Sequence, residues 1–245
     1  MLAAIASVGR ARMRADQDGG TGTICFSATA SFGLSAGLFG IGALTLRRAT
    51  AARELPYAAI PMLLAVQQAI EGALWLVLPE QLDGILQEDR ALVTIYLVFA
   101  NVLWPIFVPT AVWLIESSVV HRKRIMIPLV AGAATSLFYG AALIMQPVSA
   151  EISGSHIDYH LPHSYDLAAF ALYAIATCLA PLLSSHKLVR LFGLALIISM
   201  IFAYALYTVW FASVWCFFAA LLSVVVFFYF VRRDVPGTIA ETVRQ

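Results

Sequence analysis

Glu71 lies in the run Ala65-Val-Gln-Gln-Ala-Ile-Glu-Gly-Ala-Leu-Trp75, with Gln67 one helical turn before it on the same face. It is the one acidic residue set deep inside a long apolar stretch. A carboxylate in hydrocarbon is costly unless it is paired, protonated or facing water, so an acid here reads as a functional group. Gln67 and Gln68 place amide donors and acceptors beside it, and Trp75 an indole one turn further on. Such a set can hold a small polar ligand, a metal ion or a proton.

A second group of polar side chains lies in Glu151-Ile-Ser-Gly-Ser-His156-Ile-Asp158-Tyr159-His160-Leu-Pro-His163-Ser-Tyr-Asp166. Three of the five histidines are here, with no Lys or Arg among them. His156 and His160 have the spacing of one helix face, which suits zinc or copper, although Gly154 and Pro162 argue against a regular helix. Of the three cysteines, Cys178 reads as a small buried hydrophobe, while Cys25 and Cys216 fall near the same end of the molecule as Glu71. The candidate metal ligands are therefore Glu71, His156, Cys25 and Cys216. A disulfide between Cys25 and Cys216 is the plainer use of those two thiols on an oxidising face.

Catalytic signatures are missing. There is no Gly-x-Ser-x-Gly, no His-Glu-x-x-His, no glycine-rich phosphate loop and no CxxC. The apolar stretches hold no histidine, and the last of them no lysine. A seven-helix zinc hydrolase is thereby disfavoured, and a retinal Schiff base in the final helix is excluded.

The elements that position these groups follow from composition. The chain is 61% hydrophobic and 12% charged, with a mean hydropathy of +0.86. A soluble domain averages about 25% charged residues, so this is an integral membrane protein whose first partner is the lipid bilayer. A net charge of +1 argues against nucleic acid. Apolar segments of roughly 20 residues, enough to cross a bilayer, fall at Phe26–Leu46, Pro56–Leu78, Ala91–Ile115, Ile125–Met145, Leu167–Leu183, Leu188–Tyr207 and Val209–Val231. The fold class expected is all-α, a bundle of seven transmembrane helices over residues 25–233, followed by a short tail at 234–245.

Charge sets the orientation. Arg47, Arg48 and Arg53 fall in the first loop and Arg122, Lys123 and Arg124 in the third. Lys187 and Arg190 fall in the fifth, and Arg232, Arg233 and Arg244 at the C-terminus. The second loop has only Arg90, and the fourth and sixth have none. By the positive-inside rule the odd loops and the C-terminus are cytoplasmic and the N-terminus is outside, in the inner (plasma) membrane. Residues 1–24 break the rule with Arg10, Arg12 and Arg14, and read as a disordered extension with the membrane domain starting near Ile24.

This topology gathers the polar residues in the outer half. Glu71 lies ~22 Å along the second helix from its inner end, and Asn101 ~15 Å from the outer end of the third. Trp215 and Cys216 enter the seventh from outside, and the histidine loop, with Tyr159, can fold over the mouth. Gly33-x-x-x-Gly37 with Gly40 and Gly42 gives the first helix a small face for close helix contact. Pro61, Pro105, Pro109 and Pro181 can bend their helices. Phe99-Ala-Asn-Val-Leu-Trp104 and Phe211-Ala-Ser-Val-Trp-Cys216 resemble each other, as a three-plus-one-plus-three helix repeat would require.

The sequence also resembles an uncharacterised bacterial family of small multi-pass proteins, a domain of unknown function whose members begin Met-Cys-Phe-Ser-Ala. Here the run is Ile24-Cys-Phe-Ser-Ala28. The family's Pro-x-x-x-x-x-Gln-Gln-x-x-Glu-Gly-x-x-Trp is matched by Pro61, Gln67, Gln68, Glu71, Gly72 and Trp75. Its Trp-Pro is matched by Trp104-Pro105, and its closing Val-Trp-Cys-Phe-Phe-Ala-Ala by Val214–Ala220. A histidine–tyrosine outer loop is matched less closely at His156 and Tyr159. The resemblance implies a bacterial membrane location and a similar helical core, but no activity.

The leading expectation is an outward-facing site for a small ligand or metal ion, built from Glu71, Gln67, Gln68, Asn101, Trp75, Tyr159 and Trp215. A solute or proton-coupled transporter using Glu71 stands beside it. So does a structural or accessory subunit bound to a membrane-protein partner, with Glu71 satisfied by Asn101 or an indole. An enzyme with Cys25 or Cys216 as nucleophile lacks a base other than the loop histidines.

Overall fold

The computed structural model describes residues 27–78, 87–153, 156–161, 167–206 and 211–233. The N-terminal extension, Cys25, Gly154, Pro162, His163, the junction near 207–210 and the C-terminal tail lie outside the described residues. The chain is a membrane protein by its helices. Among the described residues, six are long and apolar enough to cross a bilayer: α1 (Ala28–Arg48), α2 (Ala52–Val77), α3 (Arg90–Ile115), α4 (Val119–Met145), α6 (Lys187–Ala205) and α7 (Val214–Arg232). A shorter apolar helix, α5 (Ala168–Leu182), lies where the fifth span was expected. Its described part is shorter than the roughly 20 residues of a full crossing, and the residues just before it lie outside the described ones.

Between α4 and α5 the expected all-α pattern is interrupted. An antiparallel hairpin forms from β1 (Ser149–Ser153) and β2 (His156–His160), with Glu151 opposite Asp158 and Ala150 opposite Tyr159. Alternation explains it. Ala150, Ile157 and Tyr159 are buried against α2, α3 and α7, while Glu151 and His160 face out. The histidine spacing that fits one helix face fits one strand face equally well.

Local chemistry starts and bends the helices. Ser27 caps α1 by accepting the Ala30 N–H at 3.2 Å. Glu54 anchors the first turn of α2 by accepting the backbone N–H groups of Thr50 and Ala51. In α3 a π-helical segment, Val98–Leu103, runs straight into Trp104-Pro105. In α5 a second, Ile175–Leu179, runs into Ala180-Pro181. Proline lacks the N–H that would close the preceding turn, so carbonyls are released for other donors. The Tyr173 hydroxyl donates to the Ala100 carbonyl at 2.7 Å, and Ser136 Oγ to the Val102 carbonyl at 2.7 Å. The wide turn of α3 is thus stitched to α4 and α5.

The glycines of α1 behave differently from expectation. Gly42 packs on α2, where an added Cβ would come within 2.9 Å of the Met62 backbone, and Ser35 Oγ donates to the Ala65 carbonyl at 2.8 Å. Gly33, Gly37 and Gly40 have nothing within 4 Å of an added Cβ. Their small face points away from the chain, because the contact with α2 uses the Ser31, Ser35, Leu38, Gly42 and Thr45 face instead. The tightest glycine contact lies elsewhere: Gly132 of α4 sits against the Pro105 carbonyl, which Pro109 cannot satisfy.

The loops at the basic end lock together. Glu116, buried between α3 and α4, accepts the Ser118 N–H at 3.0 Å, Ser184 Oγ at 2.9 Å, the Ser185 N–H at 2.7 Å and Ser185 Oγ at 2.6 Å. Burial would raise its pKa, but the hydrogen bonds from Ser185, Ser118 and Ser184 outweigh that and hold it at about 2. This clasp puts the α3–α4 and α5–α6 loops on one face. The hairpin covers the opposite end, against the first turns of α3.

Candidate functional site

Gln67 and Gln68 are completely buried and Glu71 is 2% exposed, all on the inward face of α2. Packing alone would fill these positions with aliphatic residues. Each polar group must therefore find partners inside the bundle. Gln67 uses both ends of its amide: Oε1 accepts from Trp104 Nε1 at 2.6 Å, and Nε2 donates to Cys216 Sγ at 3.2 Å. It ties α2 to α3 and α7. Gln68 Nε2 donates to Glu71 Oε2 at 3.1 Å, so of the two adjacent glutamines it is Gln68 that bonds the acid.

Above this layer stand two tyrosines. Tyr96 from α3 and Tyr159 from β2 stack with ring centroids 4.3 Å apart and planes 5° from parallel. Their hydroxyls are within electrostatic reach of Glu71 and Cys216. Burial, then the charge of Glu71, pushes the Tyr159 hydroxyl well above its usual pKa. By strict geometry the Tyr96 hydroxyl, the Tyr159 hydroxyl and Gln68 Oε1 have no hydrogen bond, although all three atoms are buried; the two hydroxyls face each other, and that of Tyr96 also faces the Cys216 thiol. On the other side of Cys216 an apolar cavity of about 40 Å³ opens among Trp104, Tyr173, Trp215 and Cys216. Trp215 packs edge-on against Tyr173, with ring centroids 5.4 Å apart.

The structure thus brings together Glu71, Gln67, Gln68, Tyr159 and Cys216, with Trp215 one residue away on the cavity wall. Trp75 is half-buried against the same cluster. Asn101 does not join them: its amide donates to the Leu97 carbonyl of its own helix at 3.4 Å. The Trp104 indole N–H donates to Gln67 rather than to Glu71. Cys216 and Cys178 are free buried thiols, so Cys216 carries no disulfide.

The expected metal set is not assembled among the described residues. Glu71, His156 and Cys216 do not form a cluster of ligand atoms, and Cys25 lies outside the described residues. The cluster that does form is Glu151, Asp158 and His160, on the outward face of the hairpin, with ligand atoms within 4.8 Å of one another. His160 Nε2 lies 3.8 Å from Glu151 Oε1. Burial and the neighbouring Glu151 raise the Asp158 pKa against the pull of His160. His156 is buried, and that burial lowers its pKa to about 4, so it is a neutral imidazole at neutral pH.

Sequence reasoning missed Tyr96 and passed over Trp104 as a site residue. Trp104 carried a signal, since it closes one of the two similar hexapeptides and precedes Pro105. Tyr96 carried none beyond being an aromatic hydroxyl near one end of a span.

One comparison with known proteins bears on this site. Residues 24–241 match the model of a family of unknown function (DUF6629). The chain belongs to that family. Glu71, its glutamines, Tyr96, Tyr159 and Cys216 all lie within the matched region. No curated protein and no solved structure matches the chain.

Proposed function

We propose that this chain is a bacterial plasma-membrane protein of seven crossing helices, N-terminus outside and C-terminus cytoplasmic. The outer half of its bundle binds a small polar ligand or ion at Glu71. The orientation rests on the Lys and Arg of the odd loops and tail, and the Glu116 clasp is consistent with it, holding two odd loops on one face. The observation that carries the site is the buried cluster of Gln68, Glu71, Tyr96 and Tyr159, in which three oxygen atoms lack a hydrogen bond. Leaving polar atoms unsatisfied in a low-dielectric interior costs roughly 1–3 kcal/mol each, and a bound ligand removes that cost.

The test is a thermal-shift screen of the detergent-purified chain against small polar solutes and metal ions, with native mass spectrometry and elemental analysis for anything retained. A stabilising or retained ligand that is lost in Glu71→Gln is the expected result. No ligand by any route, with Glu71→Gln at least as stable as the parent, overturns the site.

Transport is a second reading, favoured by one observation. The two π segments sit directly before prolines in α3 and α5, and such segments recur at functional hinges. In this reading Glu71 titrates during proton-coupled movement of a solute. Liposome uptake that responds neither to pH nor to Glu71→Gln removes it.

A further inference from the structure

The outward face of the hairpin carries a second set of reactive groups, separate from the Glu71 cluster. Strand pairing sets Glu151 directly opposite Asp158, and His160 stands two residues further along, on the same face as Asp158. Directly opposed like charges weaken an antiparallel pair, and residues 146–166 hold no Lys or Arg to balance them. Each of the three side chains offers one ligand atom, and these atoms all lie within 4.8 Å of one another. His160 Nε2 is 3.8 Å from Glu151 Oε1, too long for a hydrogen bond, so the two are close without being bonded.

That spacing is near the one an ion imposes. Around a tetrahedral zinc with bonds of about 2.0–2.2 Å, neighbouring ligand atoms lie about 3.3–3.6 Å apart. Small side-chain rotations close the difference, and the Glu151 and His160 side chains, 69% and 52% exposed, have room to make them. The backbone beneath is held, because Ala150, Ile157 and Tyr159 on the opposite face are buried.

The donor set decides the class of ion. Two carboxylates cancel the charge of one divalent cation. An imidazole nitrogen favours zinc and its first-row neighbours over calcium and magnesium, which take oxygen ligands. Thiolate plays no part, since Cys216 is buried and accepts the Gln67 amide N–H. The exposure of the face lets water complete the coordination.

We propose that Glu151, Asp158 and His160 bind a divalent transition-metal ion of the zinc class on the outward face of the hairpin. The site goes beyond the Glu71 reading and stands independently of it. Asp158 and His160 flank Tyr159, so the bound ion ties down the strand that sets Tyr159 against Tyr96.

The full chain, purified in detergent without a histidine tag and stripped with chelator, is titrated with zinc, calcium and magnesium chlorides by calorimetry, and thermal unfolding is followed in parallel. Zinc is expected to bind at one ion per chain with micromolar affinity and to raise the unfolding temperature by several degrees. Cobalt(II) in its place is expected to give visible d–d bands without a thiolate-to-metal charge-transfer band. Glu151→Gln, Asp158→Asn and His160→Gln are each expected to weaken zinc roughly ten-fold or more, and Glu71→Gln to leave it unchanged. If zinc shows no saturable binding, or binds all three hairpin variants as tightly as the parent, the inference fails. It also fails if calcium binds as tightly as zinc, or if cobalt shows thiolate charge transfer. Zinc binding lost in Glu71→Gln but kept in the hairpin variants overturns it and supports the Glu71 site instead. Zinc bound at the hairpin, with no solute or ion sensitive to Glu71→Gln, upholds it while the Glu71 reading falls.

Discussion

At the scale of single residues, the decisive groups are amides and carboxylates whose partners lie far along the chain. Gln67 spans Trp104 and Cys216, positions 37 and 149 residues away. Gln67→Met keeps the volume and strands the Trp104 N–H in a dry interior. A loss of about 1–3 kcal/mol is expected, measured as a lowered unfolding temperature in detergent. Glu116 makes a sharper case because its pKa falls to about 2 from an ordinary value of 4.5. A depressed carboxyl contributes stability that is complete above the unfolded pKa and is lost as pH falls through the folded one. The parent is therefore expected to lose stability between about pH 5 and pH 2. Glu116→Gln is expected to be less stable by roughly 2–3 kcal/mol at neutral pH and to show a flatter acid limb over that window.

At the scale of elements, glycine and proline decide which helices touch. Gly132→Ala drives a methyl into the Pro105 carbonyl, and Gly42→Ala drives one into the Met62 backbone. Both contacts are with main chain, which cannot swing aside, so each variant is expected to lower the unfolding temperature markedly. Gly37→Ala meets nothing within 4 Å and gains helix propensity, so its unfolding temperature should be unchanged or slightly higher. Equal losses at positions 37 and 132 would contradict this arrangement. The two similar hexapeptides gain a physical meaning at this scale. Their sixth residues, Trp104 and Cys216, both bond to Gln67, yet residues 98–103 are π-helical whereas Phe211–Leu222 is α-helical. Sequence likeness placed two polar groups around one glutamine without giving the two helices one geometry.

At the scale of the whole molecule, one end is basic and clasped and the other is capped by a hairpin free of Lys and Arg. The membrane orientation proposed above has a direct test in single cysteines placed in a folded, cysteine-free parent. Residues at 123 and 187 are expected to be blocked only after the membrane is permeabilised, and residue 151 to be blocked in intact cells by an impermeant maleimide. The reverse pattern would invert the bundle and place Glu71 in the inner half. Much of this was legible in the sequence. Hydropathy is a property of composition along a window, so the long spans fall close to their expected limits, and Glu71 with its glutamines stood out because polar atoms in an apolar run are costly wherever the run folds. Tyr96, the Glu116 clasp, the outward turn of Gly33, Gly37 and Gly40, and the departure of Asn101 from the site were not legible. They depend on which helix faces meet, and a run of apolar residues around the whole circumference of a helix does not say which side is inward. The sequence by itself determined a helical membrane protein with one costly acid in its second span. Tertiary packing alone decided that this acid would share its surroundings with two stacked tyrosines and a thiol, because only helix rotation and a folded-over hairpin could bring those oxygens into one dry place.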